Sequence, residues 1–183
     1  MKTKKVSLPK ESILNNSNFE YVDSFQTIYH DPLNQISSKD IAIAFFNGTP
    51  KWTETLFSIR NKIVSIFGLK TPNKTQDRER ILHNFQCKPG ERIGLFKVYH
   101  TNANEVIMGE DDKHLNFRIS LLKDSNADNV TEKKLTISTT VTFNNWFGKL
   151  YFLPVKPFHK LIVPKMLKGI VHQIDHKANA LSK

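Results

Sequence analysis

The stretch "GEDDKHLNFRISL", Gly109 to Leu121, decides the fold. Its second half alternates. Leu115, Phe117, Ile119 and Leu121 form one set, and His114, Asn116, Arg118 and Ser120 the other. Strand geometry sends the two sets to opposite faces of a sheet, so the apolar set faces a covering layer and His114 and Arg118 face away from it. "GEDDK" lies between two strand candidates and reads as a tight hairpin turn, with Gly109 or one of the aspartates at positive φ. Glu110, Asp111 and Asp112 offer carboxylates to a hard cation, but their spacing is not that of a calcium loop. A zinc site needs further His or Cys at known spacing. The turn reading therefore stands over the metal reading, and His114 can pair with Asp112 across it.

Strand candidates continue on both sides, at 93–100, 105–108, 115–123 and 134–143. They are joined by "TNAN", "GEDDK" and "DSNADNVTE", all rich in turn formers. Sequential strands with short polar joints predict an antiparallel meander. Upstream, "NFEYVDSFQTIYH" is a further strand with Phe19, Tyr21, Phe25 and Tyr29 on one face. "SSKDIAIAFFNG" predicts a short helix capped by Ser37, with Asp40 completing a capping-box variant and Gly48 stopping it. "TPKWTETLFSIRNKIVSIFGL" carries a helical stripe of Trp52, Leu56, Ile59, Ile63 and Ile66. The terminal stretch from Trp146 to about Lys177 is helical, with breaks expected at Pro154, Pro157 and Pro164. Helices segregated from antiparallel strands in this order predict an α+β fold in which the terminal helix covers one face of a curved sheet.

The 183 residues suit a single domain over residues 18–183, preceded by a polar, flexible segment over residues 1–17. The formal net charge is +10. The lysines are dispersed and no stretch alternates Arg with aromatics, so they read as a solvated surface and no nucleic-acid partner is expected. The tail is the most basic part, with seven lysines and one acid, Asp175, between Asn145 and Lys183. The lone cysteine, Cys87, offers neither an internal disulfide nor a metal framework. No secretory signal or spanning segment is visible, and a cytoplasmic location is the simplest expectation.

Four segments taken together, "YVDSF" (Tyr21 to Phe25), "LFSIRNKIVSIFGLK" (Leu56 to Lys70), "GEDDKHLNFRISL" (Gly109 to Leu121) and "FNNWFGKLYFLPVKPFHKLIV" (Phe143 to Val163), resemble the bacterial family catalogued as domain of unknown function 2867. The likeness covers roughly residues 17 to 170. That family in turn resembles a compact helix-grip protein of the START and Bet v 1-like (SRPBCC) kind. The resemblance implies a bent antiparallel sheet gripping a long C-terminal helix, with two short helices after the first strand. It implies little chemistry. Helix-grip relatives carry lipids, sterols or polyketides, and some are cyclases or hydratases. Members also occur behind NAD(P)-binding domains, but this sequence has no G-x-G-x-x-G turn, and no cofactor is expected.

Asp23 is the residue out of place. A carboxylate on an apolar strand face must be partnered or wetted by a cavity. Arg60, beside the core stripe of its helix, is the candidate partner; Arg118 is a weaker one, because alternation puts it on the outer face. His159, in "KPFHK", is a candidate base because histidine as a residue type suits proton transfer near neutral pH, but nothing nearby in sequence completes a triad. Lys149, Lys156, Lys160, Lys165 and Lys168 accompany Trp146, Phe147, Tyr151, Phe152 and Phe158 along the terminal helix. That composition suits a membrane surface, yet the helix's apolar face is also needed to fill the sheet, and core packing has the prior claim. The leading expectation is a binding module for a small hydrophobic ligand in a cavity between sheet and C-terminal helix. Asp23, Tyr21, Phe25, Arg60, Phe117, Arg118, His114 and His159 are its candidate contacts. The alternatives are a cyclase-, hydratase- or isomerase-type enzyme using Asp23 or a histidine, and a basic-surface binder of anionic lipid or nucleic acid.

Overall fold

A computed structural model describes residues 2–48, 76–124 and 132–181. The helix expected around Trp52 to Ile66, with Arg60, lies outside them. Among the described residues, seven strands form one sheet: β1 (Lys4–Val6), β2 (Tyr21–His30), β3 (Arg92–Ile93), β4 (Phe96–Thr101), β5 (Glu105–Asp111), β6 (Leu115–Lys123) and β7 (Glu132–Phe143). Their order is β1-β2-β7-β6-β5-β4-β3, and every pairing is antiparallel. Strands β3 to β7 are thus the expected meander, and β2 joins it beside β7. Among the described residues, three helices accompany the sheet: α1 (Ser38–Asn47), α2 (Gln76–Asn84) and α3 (Trp146–Leu181). The architecture is α+β and helix-grip-like.

The strand expected at 93–100 is split. Gly94, at φ 59, opens a two-residue turn that pairs Ile93 with Phe96. The β5–β6 hairpin turns at Asp112 to His114, closed by the Asp112 amide donating to the Leu115 carbonyl at 3.1 Å. Neither Gly109 nor an aspartate takes positive φ there. Gly109 lies inside β5, and a Cβ on it would stand 2.0 Å from the Phe117 carbonyl oxygen of β6. It is required for close approach of two strands, not for the turn.

α1 starts as expected. The Ser37 side chain accepts from the Asp40 amide, and Asp40 accepts from the Ser37 amide in return. Its buried face (Ile41, Ala42, Phe45, Phe46) packs with Phe85, Phe96 and the inner face of the sheet. α3 is one continuous helix of 36 residues, with Pro154, Pro157 and Pro164 inside it. The expected breaks are absent. Each proline removes one backbone hydrogen bond, but burial of Phe152, Val163, Leu167, Ile170 and Ile174 keeps the helix on the sheet through all three positions.

The inner face of the sheet presents Phe25, Tyr29, Leu135, Ile137, Ile119, Leu121, Val106 and Met108 to α3 and α1. Leu135, Ile137, Leu167 and Ile170 are at most 1% exposed, so this interface is filled by side chains. The outer face is covered in part by the N-terminal segment. Ser12 and Leu14 are buried around a 3-10 turn at Ile13–Asn16. Glu105, itself 1% exposed, accepts from the Ser12 hydroxyl (2.6 Å), the Ile13 amide (2.9 Å) and the Ser120 hydroxyl. Phe19, expected to share the inner face with Tyr21, instead precedes β2 and lines, with Leu14 and Arg118, an outer concavity of about 270 Å³.

Candidate functional site

Asp23 sits at the middle of a polar cluster between β2 and α3. Strand periodicity puts Tyr21 and Asp23 on one face, two positions apart. That spacing lets the Tyr21 hydroxyl donate to Asp23 Oδ2 at 2.6 Å. From above, α3 brings His159, whose Nδ1 lies 3.0 Å from the same oxygen. With Asp23 as the acceptor, the imidazole donates from Nδ1. Asp23 is 3% exposed, whereas the His159 side chain is 18% exposed and forms the edge of the cluster nearest solvent.

Among the described residues, two oxygens in the cluster have no partner. Asp23 Oδ1 and Thr139 Oγ1 are both buried without a hydrogen bond. Asp23 and Thr139 are direct partners across the β2–β7 pairing, and directly opposed residues have Cβ atoms about 4.5–5.5 Å apart on one face. An acceptor and a hydroxyl thus lie side by side with unused hydrogen-bonding capacity.

The surroundings are aromatic. The Phe152 ring meets Tyr21 edge-on at 4.8 Å, and the His159 ring lies edge-on to Tyr21 at 6.4 Å. Val141, Leu115, Phe117, Phe143 and Val155 complete this smaller apolar cluster. Lys156 Nζ stands 5.4 Å from the centre of the Tyr21 ring. Burial, and after it the hydrogen bond and the charge of Asp23, push the Tyr21 phenol well above its usual range, so it stays a donor.

The other residues singled out in sequence go elsewhere. Phe25 belongs to the main core, and Phe117 bridges the two apolar clusters. Arg118 faces outward: it pairs with Asp111 at 2.7 Å and stacks 3.7 Å from the centre of the Tyr99 ring. It is not the partner of Asp23. His114 meets Asn145 through Nδ1 at 3.2 Å and lies 4.7 Å from the Phe147 ring; Asp112, across the turn, is not its partner. His159 stands well inside α3. Cys87 is buried, with its thiol pushed up by that burial, and behaves as a packing residue.

Among the described residues no group of three His, Cys, Asp or Glu side chains is placed to hold a metal ion, and no helix is long and apolar enough to cross a membrane. A second concavity, about 400 Å³, opens beside His172, Gln173, His176 and Lys177 near the far end of α3. Neither concavity is lined by Tyr21, Asp23 or His159. Sequence pattern does not single out Thr139, because a threonine in a β-branched run carries no signal of its own. Only the strand register sets it opposite Asp23.

Residues 16–166 match the model of a family described as "Protein of unknown function (DUF2867)", and the chain belongs to that family. No curated protein matches it.

Proposed function

We propose that this member of the family binds a small, mainly apolar ligand carrying one hydroxyl or amine, held at the Tyr21–Asp23–His159 cluster between the sheet and the first half of α3. The observation that carries this reading is the adjacent pair of unpartnered buried oxygens, Asp23 Oδ1 and Thr139 Oγ1. A buried polar group without a partner costs about 1–3 kcal/mol. A ligand hydroxyl donating to Asp23 and accepting from Thr139 relieves both at once. Tyr21, Phe152, Val141 and Phe143 supply the apolar and aromatic walls, and entry is past His159. The helix-grip architecture is one in which ligands lie between sheet and terminal helix, and an SRPBCC kinship is part of this reading.

The experiment is native mass spectrometry of the protein purified from its own host, gently and then under denaturing conditions. The expected result is a discrete adduct that leaves on denaturation and is depleted in Asp23→Asn and Thr139→Val. A clean apo-protein in the unsubstituted chain, or an adduct indifferent to both substitutions, overturns the assignment.

A second reading rests on His159. Asp23 holds its Nδ1, which leaves Nε2 as the nitrogen able to take a proton. In an isomerase- or hydratase-type reaction His159 would be the general base, and Asp23 would stabilise the imidazolium. Turnover of a host metabolite that disappears in folded His159→Gln and Asp23→Asn favours this reading over simple binding.

A further inference from the structure

Core packing does not use up the apolar surface of α3. Trp146 is 73% exposed, Leu150 53%, Leu153 64%, Phe158 52% and Leu161 64%. Pro154 and Pro157 are exposed between them. On an ideal helix Trp146, Leu150, Leu153, Pro157 and Leu161 fall within an arc of about 80° and extend for about 22 Å. Scattered single apolar residues on a surface are ordinary, but a contiguous stripe of this kind marks an interaction surface.

Charge identifies the partner. Lys149, Lys156 and Lys160 occupy an adjoining arc of about 40°, and all three are exposed. No Asp or Glu occurs between residues 146 and 174. An apolar stripe flanked by lysines and free of acids is complementary to a bilayer with anionic headgroups, where the apolar side chains enter the acyl boundary and the lysines meet the headgroups. A second copy of the chain would bring the same lysines together on a protein of formal net charge +10, and a nucleic acid would leave the stripe in water. We infer that the first half of α3 is a docking surface for an anionic lipid bilayer, lying parallel to the membrane. Phe158 and Lys160 flank His159, so the bound surface adjoins the cluster around Asp23.

The test is flotation of the full chain with vesicles of equal parts phosphatidylcholine and phosphatidylglycerol, and with vesicles of phosphatidylcholine alone. Binding to the anionic vesicles is expected to be at least about tenfold stronger at low salt, and to fall by a similar factor in the Lys149→Glu, Lys160→Glu double variant and in Leu153→Ser, Leu161→Ser. The chain holds two tryptophans, Trp52 and Trp146, so Trp52→Phe reports on Trp146 alone, and its emission is expected to shift to the blue on anionic vesicles. No binding to either vesicle overturns the inference. So does equal binding to both, an unshifted Trp146 emission in a chain that floats, or a stable dimer in which Trp146 is already shielded without lipid.

Discussion

Asp23 and His159 stand 136 positions apart in the chain and meet at 3.0 Å, one from the second strand and the other from the middle of the terminal helix. The contact fastens α3 to the sheet next to the small apolar cluster of Tyr21, Val141 and Phe152. It also fixes the imidazole through its Nδ1 nitrogen.

Asp23→Ala leaves two donors, the Tyr21 hydroxyl and His159 Nδ1–H, without an acceptor. Each such loss costs about 1–3 kcal/mol, so stability in urea unfolding is expected to drop by about 2–4 kcal/mol. Asp23→Asn retains the volume and one acceptor and should lose less. Equal, small losses in both would show that the cluster does not hold the helix.

Alkaline pH should weaken the fold through two tyrosines. The Tyr21 and Tyr29 phenols are both pushed up from the usual 10.0, first by burial and then by the charges of Asp23 and of Asp31 and Asp124 respectively. A raised folded value means that folding favours the neutral phenol. The contribution is fully present below the usual value and is lost as pH rises through the folded values. Urea midpoints are expected to fall above pH 10.0, and Tyr29→Phe should remove part of that fall. A flat alkaline profile would contradict it.

The Gly48–Gly169 crossing should tolerate no side chain. A Cβ on Gly169 would stand 2.2 Å from the Gly48 carbonyl oxygen, and one on Gly48 would stand 2.7 Å from the Gly169 carbonyl carbon. Either alanine must push α1 away from α3. Gly169→Ala is expected to cost about 1–3 kcal/mol, as overpacking does, although alanine is the better helix former. An unchanged or raised Tm would show that the helices part at no cost.

Glu105 should control the N-terminal segment. In Glu105→Ala the Ser12 and Ser120 hydroxyls and the Ile13 amide lose their shared acceptor. Local opening is expected to become easier, and trypsin cleavage after the exposed Lys10 roughly tenfold faster. Glu105→Gln, which keeps one acceptor, should lie between. Unchanged cleavage in both would mean that Leu14 packing alone holds the segment.

Local pattern carried most of the fold. The alternation of Leu115 to Leu121 fixed the faces of β6 in the folded protein, and Ser37 with Asp40 fixed the start of α1, because side-chain period and capping chemistry act over a few residues. The terminal helix was legible as a helix, but not as an unbroken one. A proline's local penalty is visible in sequence, whereas the packing of Phe152, Val163 and Ile170 that outweighs it is not. Gly109 shows the same limit from the other side. A glycine next to acidic turn formers reads as a turn residue, and only the neighbouring strand reveals that the Phe117 carbonyl occupies the space of its Cβ.

The sequence by itself determined that Asp23 was anomalous, since period two placed a carboxylate among aromatic residues. Which residue answers it was decided by the tertiary structure alone. The register of β2 against β7 brings Thr139, and the passage of α3 over the sheet brings His159, while Arg118 turns outward to Asp111. Periodicity assigns a side chain to a face. The partner it finds there depends on how two elements distant in the chain are set against each other, and that is fixed by the packing of the whole core.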